Sequence, residues 1–448
     1  MSDRANKKNT TTSRDRLLVL SAVAIFAALF VSVVWNLIDE RREVETPLFV
    51  GVLNSQTGPL AASEKLVSYG TILAIEEING NGGLLGRKVL AVVADGASDD
   101  DTFASEAERL IDEEKVSVLV GCYTSSSRKR VKDVVEGRDH LLIYPLPYEG
   151  VEKSENVIWT GPTANQQIIP AIHWAVDELN PQSFLLVGSD YIWPRTVNAI
   201  VRDQLDSLGL ELVDERYVYL GANGSSESAV AVAADAVARL KPDIIINTLV
   251  GDGIEMFATA LVDRGIDLKK TPMLSFAVSE VELAHLPPGL LDGGYTAWSY
   301  FESLEHPQNA ELIGKFKQRW PDVEAVNDAM LTAYYSVMLW AQAVNEAKTD
   351  SIEPVKYQMG LQSIDSPSGV ISIDSETAHA WREVYVGKFL PNGKIESVWS
   401  SGRPVRPMPY PISRTKRSWI EYVESLHTAW GGWTNPIDDS IESASDEK

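Results

Sequence analysis

From Leu48 onward, short apolar runs rich in β-branched residues alternate with longer stretches whose apolar positions recur every three or four residues. The first such run, LFVGVL, stops at a turn marked by Gly58 and Pro59, and a helical pattern through Tyr69 to Ile78 follows. A strand ending at Asp95, a helix over Thr102 to Glu114, a strand over Val116 to Val120, a helix over Arg128 to Glu136 and a strand over Leu141 to Tyr144 continue the rhythm. Strand and helix in alternation predict a mostly parallel sheet covered on both faces. After Asn156 to Pro162 the alternation restarts, with helices over 168–179, 196–208 and 226–240 and strands near 184–187, 213–219 and 243 onward, which predicts a second lobe. Near Gly289 to Phe301 the chain is expected to cross back, add helices over 309–320 and 329–347, and end in hairpin strands over Gly369 to Trp399 that turn at Pro391, Asn392 and Gly393. An amphipathic helix over Ser418 to Trp430 comes last, before an acidic tail from Asn435 whose composition predicts disorder.

The N-terminus breaks this pattern. Leu17 to Trp35 carries no charge and is long enough to span a bilayer, and it ends in Val-Val-Trp rather than in the small residues of a signal-peptidase site. Arg4, Lys7, Lys8, Arg14 and Arg16 precede it, so the bias of basic residues predicts a cytoplasmic N-terminus and an extracytoplasmic body. A cleaved signal near Ala22 to Ala24 is the alternative. The partition that results is a basic cytoplasmic segment (1–16), a transmembrane anchor (17–38), a first lobe (47–164, with a return segment 298–347), a second lobe (165–297, with 348–411) and a C-terminal helix and tail (412–448).

Composition removes whole classes of function. A net charge of −23 argues against nucleic acid as a partner, because phosphate binding needs clustered Lys and Arg. The single cysteine, Cys122, allows neither an intrachain disulfide nor a cysteine zinc site, and its apolar setting predicts a buried thiol. The six histidines lack metal-binding spacing, no Gly-x-Ser-x-Gly elbow is present, and the Gly-rich turn after the first helix has the wrong order for a phosphate cradle. No enzyme and no cofactor are expected.

What remains is a cleft. Gly121 ends one strand, and Tyr123, Thr124 and Ser125 to Ser127 follow at a helix start; the next strand ends at Tyr144, Pro145, Pro147 and Tyr148. Ligands of open α/β sheets sit outside the carboxyl ends of the strands, so Tyr123, Ser125, Tyr144 and Tyr148 either converge on a ligand or pack the cleft walls. Asp190 and Asp252 also fall just past strand ends, singly rather than as an acid/base pair, and either could hold an ammonium group or cap a helix.

Several stretches are specific. GCYTSSSRK (from Gly121), YPLPYEG (from Tyr144), GPTANQQIIPA (from Gly161), GSDYIWPR (from Gly188) and RPVRPMPYP (from Arg403) resemble the amide-type branch of the type I periplasmic binding proteins, which includes urea and short-chain amide binders of ABC transporters and an amide sensor. The resemblance covers about residues 48–411. It implies two Rossmann-like α/β lobes joined by three crossovers, and a small neutral amide or urea between them, with Tyr123, Ser125, Tyr144, Pro147, Tyr191 and Trp193 at the positions that line the amide pocket. Leu146 stands where the sensor has a hydroxyl and the urea-type components have an aliphatic residue, which favours urea. The implied partners are ABC permease subunits or, for a tethered sensor, a signalling partner. A branched-chain amino acid, its ammonium on Asp190 or Asp252, is the other ligand class in view.

Overall fold

The structure, a computed structural model, describes residues 46–219 and 224–436, with a few helical positions at 27 and 29–32. Among the described residues no helix is long and apolar enough to cross a membrane. The anchor expected over 17–38 lies largely outside the described residues, as does the acidic tail beyond Pro436.

Alternating apolar side chains along each strand give two buried faces, and helices fill both. In the first sheet β1 (Leu48–Leu53), β2 (Val89–Ala94), β3 (Val118–Gly121), β4 (Leu142–Tyr144) and β5 (Val157–Trp159) run parallel in the order β5-β4-β3-β1-β2. On β3, Val118 and Val120 pack with α1 (Ala61–Gly80) and α10 (Asp328–Ala347), whereas Leu119 between them packs with α2 (Asp100–Asp112) and α3 (Ser125–Gly137). The second sheet repeats this. Its order is β15-β14-β10-β9-β8-β6-β7, with β6 (Ser183–Ser189), β7 (Glu211–Val218), β8 (Ile244–Thr248), β9 (Met273–Ser275) and β10 (Tyr295–Trp298) parallel. Phe184 and Leu186 face α4 (Ile168–Leu179) and α5 (Ile192–Leu208), and Leu185 and Val187 face α6 (Gly224–Leu240) and α7 (Gly253–Asp263).

The expected assignment of all of 348–411 to the second lobe is corrected. Strands β11 (Ser363–Ile364), β12 (Ile371–Asp374) and β13 (His379–Trp381) extend the first sheet, where His379 pairs with Trp159, and only β14 (Tyr385–Phe389) and β15 (Ile395–Ser400) join the second. The cause is burial: Met359, Ile371, Ile373 and Ala380 complete the core around α10.

The chain passes between the sheets after β5, after β10 and after β13. Within Gly289 to Phe301, where the crossing back is expected, Gly294 to Trp298 is mostly strand β10, and the crossing follows at Ser299. Arg382, fully buried, staples the crossings by donating to the Thr160 carbonyl (3.1 Å), Asp328 Oδ1 (2.9 Å) and Thr332 Oγ1 (2.9 Å). Gln166 and Gln167 add side-chain bonds to the carbonyls of Ala380 (2.9 Å), Val405 (2.7 Å) and Ala297 (2.7 Å).

Candidate functional site

The carboxyl ends of the parallel strands of both sheets face one cleft. After β3 the backbone turns sharply: a Cβ on Gly121 would lie 2.1 Å from the Leu53 carbonyl oxygen, so only glycine fits, and Cys122 follows in the left-handed region at φ 62°. The turn delivers Tyr123 to the cleft and starts α3 at Ser125, earlier than the apolar spacing predicts, because the Thr124 hydroxyl caps the helix by accepting from the Ser127 N–H (3.1 Å). Helix α5 also starts early, at Ile192, with Tyr191 at its cap position and Pro194 in its first turn, where proline costs no hydrogen bond. Each lobe therefore presents a helix N-terminus, a tyrosine and small polar groups to the other.

Between these ends lies an inner cavity of about 50 Å³, walled by Tyr123, Ser125, Leu146 and Pro147 of the first lobe and Tyr191, Trp193, Phe276 and Trp298 of the second. Leu146 is fixed from behind, since a Cβ on Gly161 would come within 1.9 Å of the Leu146 carbonyl oxygen. Tyr144 does not line this cavity, contrary to expectation. It is fully buried beneath the wall, and its hydroxyl donates to the Tyr123 carbonyl (2.9 Å), so it supports rather than touches.

Asp190 also stands apart. Arg195, one helical turn along, takes both its carboxylate oxygens (2.7 and 2.9 Å), and it does not wall the inner cavity. Asp252 lies in a second, outer chamber of about 650 Å³, which shares the walls Leu60, Val250 and Gly251 with the inner one. The carboxylate that does reach the inner cavity is Glu282, absent from the sequence expectations. Its Oε1 accepts from Ser63 Oγ of the opposite lobe (2.9 Å), and its Oε2 from the Ser279 N–H (2.9 Å). The pattern Ser279-x-x-Glu282 reads in the sequence as a helix capping box, which it also is.

Ser125 is wired to a buried ionic cluster that the sequence did not reveal. Its hydroxyl donates to Glu149 Oε2 (2.5 Å) and accepts from Arg128 Nη1 (2.8 Å). Arg128, with no exposed side-chain surface, also binds Glu149 Oε1 (3.0 Å) and Glu152 Oε2 (2.9 Å), and its guanidinium sits 4.9 and 4.8 Å from the ring centres of Tyr144 and Tyr148. Burial opposes the charge on Glu152, yet Lys129 and Arg128 hold it down at about 2. Because the Ser125 proton is committed to Glu149 and one lone pair to Arg128, what the hydroxyl offers the cavity is its second lone pair, an acceptor.

This geometry has known counterparts. The periplasmic binding protein domain family matches residues 48–416. The chain belongs to that family. Its members are extracytoplasmic solute-binding proteins of ABC transporters. A Leu/Ile/Val/Thr-binding protein from Salmonella typhimurium is 24% identical over 332 residues, 73% of this chain and 87% of that protein. A shorter match, 28% identical over 140 residues, is to a limonene hydroxylase from Geobacillus stearothermophilus; it spans 30% of this chain and 26% of that protein. Among solved structures, an ABC transporter solute-binding protein from Rhodopseudomonas palustris in complex with 3,4-dihydroxybenzoic acid superposes with a TM-score of 0.70 at 20% identity, covering 80% of this chain and 97% of that one.

Proposed function

We propose that the protein binds urea or a short neutral amide in the inner cavity and delivers it to an ABC permease, its body held at the outer face of the membrane by the N-terminal apolar segment. The observation that carries this reading is the wiring of the Ser125 hydroxyl: with its proton given to Glu149, that hydroxyl accepts from a ligand N–H and has no proton to donate. Urea and amides supply N–H donors; benzoates and the carboxylate end of an amino acid do not. Size agrees. A volume of about 50 Å³ is a few times the ~10–15 Å³ that one water needs, and so suits a molecule of a few heavy atoms. Glu282 supplies a further acceptor, while the apolar walls Leu146, Pro147 and Trp193 reject longer acyl chains.

One observation favours a second reading. Glu282, reaching the cavity wall, is placed to hold an ammonium as well as an amide N–H, and the Salmonella relative is named as a binder of branched-chain amino acids and threonine. Calorimetric titration of the full chain with urea, formamide, acetamide, leucine and threonine separates the two. Heat with urea or the small amides, lost in both Ser125→Ala and Tyr191→Ala, is the expected result. Heat with leucine or threonine alone would assign the cavity to amino acids.

A further inference from the structure

The outer chamber has a chemistry of its own. It is wide enough, at about 650 Å³, for a ligand of ordinary metabolite size, and its walls come from both lobes and from the C-terminal segment. Glu64 and Asp100 line it from the first lobe and Asp252 from the second. Among the described residues none of these three carboxylates has an ion-pair partner, and Arg130, the one arginine in the wall, is held by Asp101 at 2.5 Å.

Glu64 is the telling one. The residue lines the chamber with no exposed surface of its own, Oε2 accepts from the Ser55 N–H (2.5 Å), and Oε1 has no partner among the described residues. A buried carboxylate oxygen left unpaired is costly, and a donor arriving in the chamber would satisfy it. Trp430, Trp433 and Phe103 stand in the same wall. Trp433 already takes a cation on its ring, the Lys129 ammonium at 4.7 Å. The described carboxylates do not gather closely enough to hold a metal ion. Carboxylates spaced apart and interleaved with indole rings suit a larger, softer cation.

We propose that the outer chamber is a second binding site, selective for an organic cation that carries an ammonium or guanidinium group. It stands whether or not the inner cavity takes urea. A cation there touches carboxylates of both lobes, so it favours the closed arrangement through its differential contacts with the two lobes. Glu64 is faced by the Ser55 N–H and hydroxyl, by the charges of Asp95 and Asp100, and by the buried Cys122 and Tyr123; Asp100 is faced by Ser126, Asp99, Arg130 and Asp101. Burial raises Glu64 to about 7 and Asp100 to about 6, and an arriving positive charge lowers both, so uptake of the cation releases protons.

The test is calorimetry of the full chain with agmatine and putrescine at an ionic strength of about 0.15 M, where surface charge is screened beyond ~8 Å. Magnesium chloride serves as competitor, and two buffers of different ionisation enthalpy read the protons. Saturable one-to-one binding, proton release, indifference to magnesium, and a loss of about tenfold or more in both Asp252→Asn and Asp100→Asn are expected. Asp252 is exposed, so its variant tests the site without disturbing the core. No binding of either amine, equal displacement by magnesium, or unchanged affinity in both variants would overturn the site. Urea titrated on the same preparation reads the inner cavity separately: heat with urea and none with the amines sinks only the outer site, and the reverse sinks only the inner one.

Discussion

Asn435 holds Asp190 twice, through its backbone N–H to the Asp190 carbonyl (3.1 Å) and through its side-chain amide to Asp190 Oδ2 (2.7 Å). The contact fastens a C-terminal strap to the end of β6. Beside it the Trp433 carbonyl accepts from the Ile192 N–H (2.9 Å) and Thr434 bridges Tyr191, so the strap braces the residue pair that carries the second lobe's cavity wall. These residues lie beyond the end of the family match at 416.

The first prediction follows from that brace. Asn435→Ala removes a hydrogen bond to a buried carboxylate and is expected to cost about 1.5–3 kcal/mol in thermal unfolding. Its effect on solute binding should appear chiefly as faster release, because Tyr191 is less firmly held. Stopped-flow release of the solute found by calorimetry checks this; an unchanged release rate would mean that Tyr191 is positioned by α5 alone.

Much of this architecture is legible in the chain, because a strand's alternation and a helix's spacing are local. Helix α4 runs over Ile168–Leu179, the same residues as its apolar pattern. What fails is whatever depends on a partner far along the chain. Arg128 and Glu149 stand on a helix and a turn with nothing local to pair them, yet they meet in the core with neither side chain exposed. Asp190 reads as a free strand-end carboxylate until the helix that follows brings Arg195 back over it. Strands β11 to β13 read as continuing into the second lobe because nothing in their alternation says which sheet edge they join. The strap was hidden by its composition: Asn435 and Pro436 read as the start of the acidic tail.

The buried cluster yields the second prediction. Arg128→Met leaves Glu149 and Glu152 without their shared cation in the interior and is expected to destabilise the fold by about 3–5 kcal/mol. Adding Glu149→Gln to it should restore part of that loss, so the two changes are strongly non-additive. Thermal unfolding of the two single variants and the double one is the measurement. Simple additivity would show that the cluster is not acting as a unit.

Selectivity among neutral solutes is the subject of the third prediction. Leu146 presents an apolar side chain to the inner cavity, and Leu146→Thr puts a hydroxyl there at smaller volume. The change is expected to weaken urea and to favour acetamide, whose methyl group needs the added room, by up to about tenfold in the ratio of affinities; a hydrogen bond of ~0.5–1.5 kcal/mol accounts for that range. Paired titrations give the ratio. If it does not move, Leu146 does not face the solute.

The last prediction concerns pH. Glu280 opens the short helix α8 (Glu280–His285) and reaches the second crossing, where its Oε1 accepts from the Glu302 N–H (2.7 Å). Its Oε2 has no partner among the described residues, and burial, with Glu302 and Glu282 nearby, pushes its carboxyl up to about 8. The ordinary value is 4.5, so between roughly 4.5 and 8 the folded protein keeps a proton that the unfolded chain has released. Folding is then penalised progressively as pH rises across that window, by about 2–4 kcal/mol at pH 7, and the penalty is absent below 4.5 and constant above 8. Glu64, raised to about 7 by burial, acts with the same sign. Glu280→Gln keeps an acceptor for Glu302 and has nothing to ionise, so it is expected to match the wild type near pH 4.5 and to exceed its melting temperature by a growing margin up to pH 8. Parallel melting curves across that range would mean that Glu280 ionises in the folded protein as readily as in the unfolded chain.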